Sequence, residues 1–443
     1  MSHIIIIGNG ISGITTARHV RKLSNDQITV ISGETDHFFS RTALMYIYMG
    51  HMKYEHTKPY EDWFWEKNKI ELKKAWVTSI DTNVQELTLA DGEKIAYDKL
   101  VLSLGSKSNK FGWPGQDLEG VSGLYSYQDL EYIEEHSKDI EKAVIVGGGL
   151  IGVELAEMFH SRKIDVTFLV REKSFWDVVL PKEESAMINK EILDHHIDLK
   201  LGTELKEIVS DENGKVKAVV TGDGETISCQ FVGLTAGVSP NIALVENSGI
   251  EFKRGIFVDE FLQTNIPNVY AIGDCAEFRN PLPGRRPIEQ VWYTGRMQGE
   301  TLARTLTGKQ TAYRPGIWFN SAKFFNIEYQ TYGTVLANLQ ENEAQLYWEH
   351  TSGKICMKVV FHSNTEEVIG INTFGIRMRH EVWDKWLREK RDLKYVMSHL
   401  EDANFDPEFF KRYENEIRQV YNDMFPSSKI EPVKKGFLQS IFN

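Results

Sequence analysis

Residues His3–Gly13 read HIIIIGNGISG, an apolar run followed by three spaced glycines. Ile4, Ile5, Ile6 and Ile7 form the short apolar run of a strand buried on both faces in a parallel sheet. The run leads into Gly8-x-Gly10-x-x-Gly13, and a helical pattern starts at Ile14. In such a unit the first glycine allows the tight turn and the second lets the backbone approach a pyrophosphate. The third lets the helix pack closely on the strand. The helix N-terminus adds free N–H groups and a partial positive charge for phosphates. A second strand, 27–32, precedes Glu34, roughly twenty residues on, where an acid holds a ribose 2′-hydroxyl. A lone glycine motif is also a bare turn. Strand, glycines, helix, strand and acid in this order mark a dinucleotide site.

The chain has 443 residues, too many for one core, so two or three domains are expected. A net charge of −12 argues against nucleic acid as the main partner, because neutralising phosphates needs a basic surface. Cys229, Cys275 and Cys356 lie far apart and form no CxxC pair, so no metal site is expected. Three lone thiols suit a reducing compartment, and no apolar run approaches the roughly 20 residues of a membrane span. With a strand already beginning at His3, a cytoplasmic protein without a signal peptide is expected.

The opening motif recurs. Residues 143–156, AVIVGGGLIGVELA, repeat strand, Gly147-x-Gly149-x-x-Gly152 and helix, and a second strand follows at 165–170. Two complete fingerprints imply two dinucleotides bound side by side, as in a flavoprotein fed by a nicotinamide. Between the copies, 86–98 reads as a hairpin turning at Asp91-Gly92, 99–105 as a strand and Trp113-Pro114-Gly115 as a linker. The acidic run Asp129 to Glu141 reads as a solvated helix without a function. Beyond the second copy come a hairpin (204–231) and a segment, 255–276, that closes on Gly273-Asp274. From Tyr313 the chain turns aromatic, with strands expected at 328–336, 344–349 and 354–361 and helices at 379–400 and 406–424.

These landmarks, in this order, resemble the FAD-dependent pyridine nucleotide (NAD(P)H) oxidoreductase family over residues 1 to about 312. The subgroup resembled is that of the ferredoxin, rubredoxin and nitrite reductase flavoproteins. Phe39-Ser40-Arg41 through Gly50, Val269 to Asp274, and Gln290-x-Trp292 through Gln298-Gly299 carry that likeness. The resemblance implies an α/β fold with two Rossmann-like dinucleotide-binding domains and a C-terminal α+β domain. An FAD-binding domain (1–112 and 244–312) would be split by an inserted NAD(P)H-binding domain (113–243). A C-terminal interface domain (313–426) and a flexible tail (427–443) would follow.

Carried over by position, Gly8, Gly10, Ile11, Ser12 and Gly13 would wrap the FAD pyrophosphate, with Glu34 on the adenosine ribose. Arg41 would meet phosphate, the backbone of Val77 the adenine, and Gly105, Gly273 and Asp274 the flavin side, Asp274 accepting a ribityl hydroxyl. Glu289, Gln290, Val291 and Trp292 would close over the isoalloxazine. Gly147, Gly149, Leu150, Ile151, Gly152 and Gly237 would hold NAD(P)H. Arg171 suits the 2′-phosphate of NADPH and Glu172 the free 2′-hydroxyl of NADH, so the choice stays open with a lean to NADPH. Glu154 would sit by nicotinamide and flavin as a catalytic group, its alternative being an ordinary first-turn carboxylate. Tyr46 stands where many ferredoxin reductases place a lysine near the flavin N5, so the flavin potential should differ from theirs.

Disulfide reductases of this superfamily need a cysteine over the flavin, and residues 40–46 contain none. Asn320 to Phe325 echoes the C-terminal domain of the coenzyme A-disulfide reductases, yet Thr42 stands about where they carry their cysteine. Cys275 reads as a packed small side chain. The expected function is therefore hydride transfer from NAD(P)H to flavin N5, then electron release to an external acceptor, a small iron–sulfur carrier such as ferredoxin or rubredoxin. Arg285-Arg286, Arg377-x-Arg379 and residues 385–394 are the basic stretches considered for docking it. Two alternatives stand beside this: an NAD(P)H oxidase reducing oxygen or a small acceptor, and a non-catalytic flavin-binding sensor or assembly subunit. A homodimer is compatible with the resemblance. The tail, with Lys434, Lys435, Phe437, Leu438, Ile441 and Phe442, offers a membrane surface a weak contact at most, and disorder is the other reading.

Overall fold

In the computed structural model, residues 1–405 and 411–431 are described. The chain divides into two compact units, 1–171 with 203–315 and 172–202 with 316–443. This division cuts across the expected domain boundaries: residues 172–202, placed by the sequence within 113–243, belong to the C-terminal unit.

The first unit contains two parallel sheets, each built on one fingerprint. His3–Ile7 is the centre of the first, paired in parallel with Gln27–Ser32 on one side and Lys99–Leu102 on the other. Ile70–Lys74 extends it beyond the second strand, and Val269–Ala271 pairs with Lys99–Leu102 at the far edge. Ile4, Ile5 and Ile6 have no exposed surface, which is why the strand needs apolar residues on both faces. The second sheet repeats the plan. Lys142–Val146 lies between Asp165–Val170 and Phe231–Leu234, with Val121–Ser122 outside the latter, all parallel.

Antiparallel pieces are inserted in sequence between strands of each sheet. Glu86–Leu89 and Lys94–Ala96 form the expected hairpin, with Gly92 at φ +87° in its turn, and Val77–Asp81 adds a third strand. Residues 204–231 are a three-stranded meander rather than one hairpin, Leu205–Ser210, Val216–Thr221 and Thr226–Ser228. Trp113-Pro114-Gly115 is a packed turn, not a loose linker: Ile208 N–H donates to Pro114 O at 2.8 Å. The helix Trp292–Leu306 lies against Ile11–Leu23, and a Cβ at Gly299 would come within 2.6 Å of Ser12 O. That close approach explains Gly299.

The C-terminal unit is an antiparallel sheet in the order Phe319–Phe324, Ile327–Gly333, Val368–Phe374, Cys356–His362, Glu343–Glu349. Two of these strands, 319–324 and 368–374, escaped the sequence reading because Asn320, Ser321, Gly370 and Asn372 interrupt their apolar alternation. The helices His380–Arg388, Leu393–Ser398 and Glu414–Met424 accompany it, with the fully buried Trp383 in the core they share. Residues 406–410 of the expected 406–424 helix, and 432–443 of the expected tail, lie outside the described residues.

Lys182–Asp194 belongs to this unit and brings buried charge to it. Glu184 accepts from Asn372 Nδ2 at 2.7 Å, and its other oxygen has no hydrogen-bond partner. Glu183 accepts from Lys358 Nζ at 2.8 Å, and Glu191 from Lys354 Nζ at 2.6 Å. Among the described residues, no helix is long and apolar enough to cross a membrane.

Candidate functional site

A cleft of about 840 Å³ opens at the carboxyl ends of the first sheet, where parallel α/β sheets bind ligands. Gly8 has φ +108°, and a Cβ there would lie 2.2 Å from Ser103 O. A Cβ at Gly13 would lie 2.1 Å from Gly8 O, so the helix could not approach the strand. Gly10 differs: its φ of −71° suits any residue and no protein atom lies within 4 Å of the Cβ position. Nothing in the protein requires glycine at Gly10, which lines the cleft. The open space there leaves room for a pyrophosphate against the helix N-terminus.

The second fingerprint has the same division of labour. Gly147 has φ +117°, a Cβ at Gly152 would meet Gly147 O at 2.7 Å, and one at Gly149 would meet nothing within 4 Å. A further equivalence was invisible in the sequence. Ser103 Oγ donates to Ile7 O and Gly8 O, and Thr235 Oγ1 donates to Val146 O and Gly147 O. In both copies a hydroxyl on the neighbouring strand ties down the carbonyls at the start of the glycine turn.

Glu34 and Arg41 meet at one side of the cleft in a two-pronged ion pair, Nη1–Oε1 2.7 Å and Nη2–Oε2 2.6 Å. The Tyr127 N–H also donates to Glu34 Oε1, and Gln128 Nε2 donates to Glu34 O. These contacts come from the start of the helix Tyr127–His136, the acidic run for which the sequence suggested no role. Ser126 caps that helix by accepting from Asp129 N–H, while Asp129 accepts from Ser126 N–H.

Asp274 follows the edge strand Val269–Ala271 and reaches the cleft with Oδ2 accepting from Ser106 Oγ and from Tyr125 Oη, each at 3.1 Å. Burial raises its carboxyl above the usual range, while the two hydroxyl donors and the Arg41 charge work against that rise. Gln290 Nε2 donates to Ser106 Oγ at 2.7 Å. Glu154, on the helix of the second fingerprint, lines this same cleft beside Ile151. Burial, with Glu157 nearby, brings its carboxyl up to about 7.

Of the residues expected at the cofactors, Gly8, Gly10, Ile11, Ser12, Glu34, Arg41, Val77, Gly105, Asp274, Gln290, Trp292, Ile151 and Glu154 line this cleft. Gly13 and Gly273 pack behind it, a Cβ at Gly273 standing 2.4 Å from Ser12 Oγ. Val291 caps the helix Trp292–Leu306, while Glu289 is engaged by Arg285 at 2.5 and 2.6 Å, both side chains nearly buried. Arg285 is therefore no free docking charge, and Arg377 pairs with Glu328. Gly147, Gly149, Leu150 and Gly152 form the second glycine turn, Gly237 accepts from Asn109 N–H, and Arg171 and Glu172 follow the strand Asp165–Val170. Tyr46 is directed elsewhere, stacked on His51 with ring centroids 6.1 Å apart, and Thr42 and Met45 line the cleft instead. A short helix, Leu44–Tyr48, sets this: residues one step apart on it face different directions. Tyr125, Ser103, Ser106 and Trp76 are among the cleft residues the sequence did not single out; none carries a local motif.

No cysteine lines the cleft. Cys275 is fully buried, its Sγ directed at Leu102 O and Ile272 O, and burial pushes its thiol up to about 12. Cys275→Ser is expected to keep flavin reduction within about twofold of the parent rate in stopped-flow absorbance, because an inert packed thiol takes no part in the chemistry. A tenfold loss would show otherwise.

The chain is 31% identical over 339 residues to an NADH oxidase of Methanocaldococcus jannaschii, covering 73% of this chain and 74% of that one. It is 29% identical to a rubredoxin-NAD(+) reductase of Acinetobacter baylyi, covering 70% and 80%. It is 27% identical to a nitrite reductase [NAD(P)H] of Bacillus subtilis over 84% of its own length, but spans only 45% of that protein. The family model for pyridine nucleotide-disulphide oxidoreductases matches residues 2–299. The chain belongs to that family, and it is an oxidoreductase that uses FAD and NAD(P)H.

Proposed function

We propose that the chain passes electrons from NAD(P)H by way of FAD in the first cleft to a small external iron–sulfur carrier of the ferredoxin or rubredoxin kind. The observation that supports this most is the lining of the cleft by Thr42 and Met45, with no thiol. A disulfide acceptor needs a thiolate to attack it or receive it. When bound there, FAD would supply a hydride acceptor for the nicotinamide and a source of single electrons. Around it, the first glycine turn and the N-terminus of Ile11–Leu23 hold the pyrophosphate, and Asp274 accepts a hydroxyl. The second glycine turn holds NAD(P)H, and Glu154 reaches the cleft from the same helix. With its carboxyl near 7, Glu154 can hold or release a proton there at neutral pH. The rubredoxin reductase relative supports the carrier.

A second reading, direct oxidation by oxygen, is supported by the NADH oxidase relative. One experiment addresses both. Anaerobic holoenzyme is mixed with NADH or NADPH in a stopped-flow spectrometer, then with a ferredoxin, a rubredoxin or air. Rapid bleaching of the flavin band, then reoxidation by a carrier at least about tenfold faster than by air, is the expected result. Faster reoxidation by air selects the oxidase, and no bleaching with either nucleotide removes both readings.

A further inference from the structure

Tyr125 touches three of the cleft's polar residues, Asp274, Ser106 and Arg41, and no part of the proposed chemistry uses it. Its hydroxyl donates to Asp274 Oδ2 at 3.1 Å and accepts from the Ser106 N–H at 2.8 Å. Its ring carries the Arg41 guanidinium, 4.7 Å above the centroid, and its carbonyl accepts from Arg41 Nη1 at 2.5 Å. Two residues on, the Tyr127 N–H completes the hydrogen bonding of Glu34, the partner of Arg41. Glu34, Arg41 and Asp274 come from three different stretches of sequence. Tyr125 comes from a fourth, the segment between Val121–Ser122 and Tyr127–His136.

We propose that Tyr125 is the positioning residue of the FAD site: its hydroxyl orients the Asp274 carboxylate while its ring and carbonyl hold the Arg41 guanidinium. One residue thereby fixes both the acceptor and the cation on the wall of the cleft. The proposal rests on the reading of the first cleft as the FAD site. A phenol suits the task for a physical reason. A hydroxyl that receives the Ser106 N–H has its own hydrogen directed onward to the carboxylate, and a guanidinium stacks on an aromatic face at little cost in hydration. The groups facing Asp274 are Tyr125, Ser106 and, through charge, Arg41. Removing the Tyr125 hydroxyl removes one of the donors that favour the ionised carboxylate, so Asp274 should then take up a proton at higher pH.

The test is FAD release from the holoenzyme on dilution, read by the fluorescence of the freed flavin. Tyr125→Phe keeps the ring and the carbonyl and deletes only the hydroxyl. Release should become about tenfold faster, the size of one hydrogen bond to a charged group. In an Asp274→Asn background the same change should alter release by less than about twofold, because the charge through which Tyr125 acts is gone. The pH midpoint below which the parent loses FAD should move upward in Tyr125→Phe. An equal factor in both backgrounds, or an unmoved midpoint, would mean a merely structural phenol and overturn the proposal. Gly10→Val separates the two levels. If it retains FAD as the parent does, the reading of the cleft fails; if it loses FAD while Tyr125→Phe behaves as the parent, only the positioning role fails.

Discussion

Gly149→Val is expected to stop NAD(P)H from reducing the flavin while FAD stays bound and the protein stays folded. At φ −128° Gly149 occupies extended backbone open to any residue, and its Cβ position has no protein atom within 4 Å. A valine there meets only what approaches the N-terminus of Leu150–Ser161, where a pyrophosphate would lie against backbone N–H groups. Loss of that approach should raise the nucleotide concentration needed for half-maximal bleaching by about a hundredfold or more. Gly10→Val should do the same to FAD and yield colourless protein. The neighbouring third glycines give the contrast. Valine at Gly13 or Gly152 puts a Cβ 2.1 or 2.7 Å from a carbonyl oxygen of its own turn, so these variants should lose stability, read as a lower Tm. Unchanged nucleotide dependence in Gly149→Val would show that the second fingerprint is not where NAD(P)H docks.

Glu184→Gln should stabilise the C-terminal unit above neutral pH. Glu184 has no exposed surface, one oxygen without a partner, and a carboxyl that burial raises to about 7. Between the ordinary carboxyl value and about 7, the folded chain holds a proton that the unfolded chain has released. Stability therefore falls as pH rises through that window, by about 3 kcal/mol in all. Glutamine still accepts from Asn372 and carries no charge to bury. The parent should thus lose thermal stability between pH 5 and pH 8 in the transition reported by the tryptophans of this unit, and the variant should lose much less. Parallel profiles would show that the carboxyl stays ionised throughout.

Both variants separate what the chain displays locally from what only folding brings together. The two glycine turns were legible because each requirement falls within a few residues: strand burial, a turn, a close approach. Asp274 was legible as the end of a strand and turn with a recognisable spelling. Tyr125 was not, because its partners lie 149 residues away at Asp274 and 84 residues away at Arg41, and a lone tyrosine before a helix cap has no signature. Tyr46 shows the opposite case. Its alignment with a lysine of relatives located it in the right stretch, but on a short helix the preceding residue, Met45, reaches the cleft. The buried carboxylate of Glu184 carries no local signature, because its partner Asn372 is 188 residues distant.

That separation has a consequence during synthesis. A ribosome adding about 5 to 20 residues per second makes Glu183 on the order of 9 to 35 seconds before Lys358, 175 residues later. Within that interval the first unit receives the rest of its chain, up to residue 315, whereas the helix at 182–194 still lacks its sheet. A protein ended after residue 315 would leave that helix so for its lifetime, with the apolar face of a would-be core turned outward. The flavin module of this protein is therefore not severable at the obvious point in the chain, and its last third serves its middle.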